Sequence, residues 1–167
     1  MQTRLIERTL VVIVLALASA PALAAGFQPR AEEAEWTALD RYVAEPDPAY
    51  RWEIIDSRSR DGWTSYTLDM VSQTWRSEEE VDRTEWQHHL IVTVPDTIEH
   101  DTAFLLIGGG DNGDAPPRVP NLTVIDMARD YGMVAAELRQ VPNQPLYFQD
   151  EDDRRRVEDS IIAYTWD

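Results

Sequence analysis

The sequence contains no cysteine and no lysine. The first absence rules out disulfide staples and thiolate metal sites, so stability must come from an ordinary hydrophobic core. The second leaves arginine to supply all 15 basic residues, against 31 Asp and Glu, for a formal net charge of −16. So acidic a chain repels nucleic acid and anionic membranes, both of which need a basic footprint, and neither is expected as a partner. A Walker-type phosphate loop is excluded as well, because its lysine has no counterpart. Long apolar runs are missing after the first two dozen residues.

That N-terminal stretch has the three parts of an export signal. Arg4 and Arg8 give a positive start, residues 10–17 an apolar run, and Ala22-Leu23-Ala24 a small-residue cleavage site. The run is shorter than the roughly 20 residues of a spanning helix, and Pro21 breaks its end. Residues 1–24 therefore read as a cleavable signal peptide. The mature protein, residues 25–167, is expected in the periplasm or outside the cell, free of the membrane once the signal is cut.

Periodicity then organises the chain. Residues 31–42 carry a helical pattern, with Trp36, Leu39 and Val43 spaced by three and four, and Pro46 and Pro48 follow it. Trp52 and Ile54, then Trp63, Tyr66, Leu68 and Met70, follow a period near two around the turn Arg60-Asp61-Gly62, which predicts an antiparallel hairpin. Ser77 and Glu80 form a capping box that predicts a helical turn. Residues 86–94 alternate as a third strand, with His88 and His89 inside it. Residues 102–107 are a continuous apolar run, the pattern of a strand buried on both faces of a parallel sheet.

Gly108-Gly109-Gly110-Asp111-Asn112-Gly113 follows directly. Leu122, Ile125, Met127 and Ala128 predict a helix closed by Gly132, and residues 133–138 a second buried strand. The acids 150–153 suit a helix N-terminus ahead of Val157, Ile161, Ile162 and Tyr164. The fold class is α/β, an antiparallel hairpin followed by parallel strands with flanking helices.

Several motifs admit two readings. Gly108, Gly110 and Gly113 spell G-x-G-x-x-G, and Glu137 ends the next strand where a dinucleotide fold keeps its ribose acid. However, Asp114-Ala115-Pro116-Pro117 stands where that motif opens a helix, and Asp111 and Asp114 repel phosphate, so no cofactor is expected. The loop can instead offer backbone N–H groups to a developing oxyanion, or it can be a tight turn that needs glycine only for positive φ; both readings stand. His88 and His89 point to opposite faces of a strand and cannot share a metal, so no metal site is expected; one is read as buried and hydrogen-bonded, the other as exposed. His100 lies in a surface loop. No serine sits on a nucleophile elbow, so no catalytic residue is assigned within the chain. Trp52, Trp63, Trp75 and Trp86 read as sheet packing rather than a sugar platform.

Six stretches together resemble one family: Ala38-Leu-Asp-Arg-Tyr-Val43, Pro46-Asp-Pro-Ala-Tyr-Arg-Trp52, Ser72-Gln-Thr-Trp-Arg76, Leu106-Ile-Gly-Gly-Gly110, Ala136-Glu-Leu-Arg-Gln-Val-Pro-Asn-Gln-Pro145 and Ile162-Ala-Tyr-Thr-Trp-Asp167. The chain is similar, over nearly all of its mature part, to the PhoPQ-activated pathogenicity-related proteins, exported proteins that look like α/β-hydrolases. The resemblance implies the N-terminal portion of an α/β-hydrolase-like domain. The nucleophile-elbow-like segment, a serine followed by Lys-Arg-Gly, would come after residue 167, leaving this portion inactive by itself. It also implies that Gly109 and Gly110 occupy the oxyanion-loop position, and that Arg139, Asn143 and Gln144 lie beyond a strand's C-terminal end, where such sheets bind ligands. The expected substrate is a peptide or ester. The alternative is a secreted binding or signalling protein on a hydrolase scaffold.

Overall fold

The computed structural model describes residues 36–166; the signal peptide and the start of the first expected helix lie outside the described residues. The chain divides into two units, residues 1–45 and 46–167. In the first, α1 (Ala38–Ala44) opens on a capping box: the Thr37 N–H donates to Asp40 Oδ2 at 2.8 Å, and the Asp40 N–H donates to Thr37 Oγ1 at 3.2 Å. None of its residues is buried.

The second unit is built on a mixed five-stranded sheet in the order β1-β2-β3-β5-β4. β1 (Arg51–Arg60) and β2 (Trp63–Thr74) form the expected hairpin, with Arg60 opposite Trp63 across Asp61-Gly62 and Gly62 at φ 87°. β3 (Glu85–Pro95) pairs antiparallel with β2 from Trp63–Pro95 to Thr74–Glu85, with a register shift that leaves Ser72 unpaired. Of the Ser77–Glu80 capping box one leg forms: the Ser77 N–H donates to Glu80 Oε2 at 3.1 Å, while the Glu80 N–H donates to the Ser77 carbonyl instead of its hydroxyl, and one turn follows. β4 (Phe104–Ile107) runs through α2 (Leu122–Tyr131) into β5 (Ala135–Leu138). β5 is parallel to β4 and antiparallel to β3, so the chain returns to insert it between two strands already laid down.

Two packed regions hold the unit together. α2 packs across β2, β3, β4 and β5 and buries Val124, Ile125 and Ala128. A second cluster joins Val81, Leu146, Phe148 and Ile161, with Trp75, Trp86 and Tyr164 packed against it; the Trp75 and Trp86 rings meet edge-on at 5.4 Å. Trp75 and Trp86 therefore serve packing, as read from the sequence, and Trp63 is buried as well.

Four expectations need correction. The apolar run before the glycine loop is not buried on both faces: exposure alternates along β4, with Leu105 54% and Ile107 61% exposed on one face, and the strand stands at the sheet edge; an apolar run does not by itself tell how many faces are covered. The second apolar run narrows to four residues, and one of its two buried positions is the charged Glu137.

The last helix, α3 (Asp159–Thr165), starts well after the acids 150–153. Arg156 instead exchanges two 3.0 Å backbone hydrogen bonds with Leu146 in an isolated bridge and turns its buried guanidinium onto Glu151, so the acids before it lie in turns and bends and the helix cannot start there. Finally, both His88 and His89 are buried, because each face of β3 is covered at that point.

α2 ends at Gly132 in the left-handed conformation, φ 60°. A Cβ there would lie 2.8 Å from Glu99 Cγ, and Glu99 N–H donates to Gly132 O at 2.7 Å, so the neighbour is tied to the same spot. Gly132→Ala should lower stability by about 1–2 kcal/mol in urea denaturation. An unchanged midpoint would mean that the Glu99 contact is not formed in solution.

Candidate functional site

The site lies where the parallel pair ends, since the glycine loop leaves β4 and residues 139–145 leave β5 on the same side of the sheet. Backbone pairing continues past both strands. Gly108 N–H donates to Leu138 O at 2.8 Å, while Gln140 N–H and Val141 N–H return to Gly109 O and Gly108 O, each at 3.2 Å. The carbonyl side of the loop is thereby fixed. The N–H groups of Gly109 and Gly110 donate to nothing among the described residues. Gly109 is exposed, with open space where a Cβ would stand. Gly110 needs its glycine: its φ is 141°, and a Cβ would come within 3.2 Å of Asp114 Oδ2 and 3.3 Å of Gln140 Cγ.

The three residues taken from the loop beyond β5 differ in what they can reach. Asn143 is fully buried; its Oδ1 accepts from Gln87 N–H at 2.8 Å, and its amide donates to Gln87 O and Gln140 O at 2.9 Å. It works as a side-chain substitute for another strand residue beside β3. Gln144, also buried, donates to Asp111 Oδ1 at 3.2 Å and accepts from Glu158 N–H at 2.8 Å. Both amides are spent inside the protein. Arg139 is half-exposed and keeps its guanidinium on the site.

Sequence reasoning missed four further members. Gln140 ties the two loops to β3, accepting from His89 N–H at 3.0 Å and donating to Asp111 O at 3.2 Å. His88 places Nδ1 3.0 Å from Arg139 O; a carbonyl only accepts, so Nδ1 carries the proton and Nε2 accepts from Ser72 Oγ at 2.9 Å. Ser72 is the unpaired residue at the register shift, which turns its hydroxyl onto the ring. A residue extra to the ladder leaves no mark in the hydrophobic pattern. Glu137, weighed only as a ribose acid, is 6% exposed; Ile91 stands opposite it on β3 and Leu106 on β4.

Electrostatically the site is mixed. His89 lies in register with Asp69, and Arg139 N–H donates to its carbonyl at 3.0 Å. Burial pushes its imidazole below the ordinary value; Asp69 and Asp114 oppose this and Arg139 adds to it. A separate concavity of about 310 Å³ over β1–β3, lined by Arg51, Trp52, Glu53, Asp69, Val71 and Gln87, has its polar groups largely paired already, Arg51 with Glu85 and Gln87 with Asp69. Among the described residues no His, Asp and Glu cluster could hold a metal ion, and no helix is long and apolar enough to cross a membrane.

With this geometry in view, the sequence profile of the PhoPQ-activated pathogenicity-related proteins matches residues 39–167. The chain belongs to that family. A curated relative is autocrine proliferation repressor protein A of Dictyostelium discoideum, 35% identical over 131 residues. The alignment takes in 78% of this chain and 26% of the relative, so the chain spans about a quarter of that protein's length. No solved structure matches. The family match includes every strand, the glycine loop and the 139–145 loop.

Burial pushes the His88 imidazole down, outweighing the carbonyl contacts that raise it. A base with a depressed folded pKa takes up its proton first in the unfolded chain, so its neutral form adds stability above about pH 6.5 that is lost on acidification. Wild-type protein should therefore lose stability between pH 7.5 and about 5.5, and His88→Gln should lose less over the same interval. Equal slopes in pH-resolved urea denaturation would contradict the assignment.

Proposed function

We propose that the chain is the N-terminal part of an exported α/β-hydrolase-like protein that cleaves a peptide or ester bond through an activated serine. The observation that carries this reading is the strand β4, its glycine loop with two undonated N–H groups, α2, and the return of β5 to β4's inner edge. In α/β-hydrolases one oxyanion donor comes from a strand-to-helix loop of this kind, and the other from the residue after the nucleophile. Here Gly109 and Gly110 supply the first donor. Each such donor is typically worth about 3 kcal/mol of barrier.

The sheet order supports the same reading. β5 occupies the inner edge of β4, so a further parallel strand can join only at β4's outer edge. A nucleophile at the end of that strand would face Gly108–Gly110 across the point where the chain reverses its direction through the sheet, the usual ligand site of open α/β sheets. The catalytic serine then lies outside residues 1–167. Export rests on the N-terminal pattern of Arg4, Arg8, residues 10–17 and Ala22-Leu23-Ala24.

A second reading has its own observation, the name of the relative, an autocrine proliferation repressor. On that reading the protein is a secreted signal that keeps the scaffold without the chemistry. A fluorophosphonate probe on the full-length native protein separates the two. The hydrolase reading expects one labelled serine outside residues 1–167, lost on heat denaturation and weakened about a hundred-fold by Gly110→Ala. Folded protein that takes no label supports the signal. Label on Ser72 would move the nucleophile into this chain, beside His88.

A further inference from the structure

Glu137 is a largely buried side chain at the mouth of the site whose carboxylate oxygens keep some access to solvent and have almost nothing to hold them. No described residue donates a hydrogen bond to its side chain. The one ion pair it makes is with Arg139, whose Nε stands 4.0 Å from Oε1, beyond hydrogen-bond reach. Its side chain is 8% exposed. Buried carboxylates are ordinarily paired and hydrogen-bonded, because an uncompensated one is costly to desolvate. Its flanking partners on both strands, Ile91 and Leu106, are apolar.

The direction of the side chain is informative. A Cβ built on Gly108 would lie 3.5 Å from Glu137 Oε1, so the carboxylate sits over a position where the chain has no side chain. The two amides without acceptors, Gly109 and Gly110, come next along the same loop. An acceptor without donors and two donors without acceptors thus belong to adjoining positions of the two loops, a set that suits an amine next to a carbonyl.

We propose that this corner binds an aminoacyl group: the free ammonium on the Glu137 carboxylate, and the neighbouring carbonyl oxygen on the Gly109 and Gly110 N–H groups. This rests on the oxyanion reading of the loop and narrows the substrate to acyl groups with an unblocked amine, such as the N-terminal residue of a peptide. Arg139 is the resting counter-charge, at 4.0 Å too far to occupy the carboxylate's lone pairs. The ammonium fills them when ligand binds. The surplus negative charge of the chain favours a cationic ligand over an anionic one.

Binding is tested without catalysis, by titrating the full-length protein with L-alaninamide and with N-acetyl-L-alaninamide in calorimetry or NMR. Wild-type protein is expected to prefer the free amine by at least ten-fold. Glu137→Gln removes the charge and should erase that preference while folding at an equal or higher urea midpoint. Gly108→Ala keeps the charge, fills the space beside it and should weaken alaninamide. Equal binding of the two amides, binding of neither, or a preference that survives Glu137→Gln overturns the proposal. A steep loss of stability in Glu137→Gln, matched by Arg139→Gln, would also overturn it, marking a structural ion pair. These results are independent of serine labelling: a protein that takes label but ignores the amine refutes this inference alone, and one that binds the amine without taking label refutes the hydrolase alone.

Discussion

β5 is hydrogen-bonded on both edges, antiparallel to β3 from Leu90 to Thr93 and parallel to β4 from Phe104 to Ile107. Four residues therefore join the long hairpin sheet to the crossover unit, and the position of every site residue follows from their register. Gly108 continues β4 and Arg139 continues β5, so the two loops leave the sheet at the same level and can zip together through Leu138, Gln140 and Val141. Were the register to slip by one residue, Glu137 would face the other side of the sheet and the loops would not meet. The burial of Asn143 against Gln87 extends this pairing in side-chain form, holding the 139–145 loop to β3 where no strand could follow.

The same arrangement divides the labour among polar side chains. Asn143, Gln144 and Gln140 have every amide function committed to backbone or to Asp111, and His88 is committed at both ring nitrogens. Such fully satisfied networks fix one geometry, since each buried group left unpaired would cost on the order of 1–3 kcal/mol. Against that rigid frame only a few groups retain unused capacity: the Gly109 and Gly110 amides, the Arg139 guanidinium and the Glu137 carboxylate. On the hydrolase reading, these four are the groups a ligand would meet.

Much of this could be read from the sequence where the signal was local. The hairpin followed from period-two spacing around Asp61-Gly62, the Ser77 turn from its capping box, and the end of α2 from Gly132. The family was legible in the 136–145 string. Failures came where the decisive information was long-range. An apolar run such as 102–107 looks the same whether one or both faces are covered, and Leu105 and Ile107 are exposed because they share the uncovered face of β4. The acids 150–153 suit a helix start, but pairing of Arg156 with Leu146 takes precedence. Glycines marked the loop correctly, yet which of its amides are taken depends on the carbonyls of Leu138 and Gln144, far along the chain, which accept from Gly108 and Asn112. Asn143 and Gln144 were placed at the right end of the sheet, but location alone could not show that their amides are committed inward.

The outer edge of β4 bears on both functional readings. Its N–H and C=O groups face outward without a strand beside them, and Leu105 and Ile107 add apolar surface to the same edge. Proteins usually blunt such edges with charge, proline or a bulge, and residues 104–107 carry none of these. A strand that paired there in parallel would take up those backbone groups and would end beside Gly108. The groups that make the edge a liability for these residues in isolation are thus those that would bring a second oxyanion donor to the loop, and the free amides of Gly109 and Gly110 would then have a reacting group within reach. On the signalling reading the same edge has a different use, since an extended peptide of a receptor could add to it as a strand. The two occupants differ in one respect that chemistry can detect: only the first delivers a serine to the glycine loop.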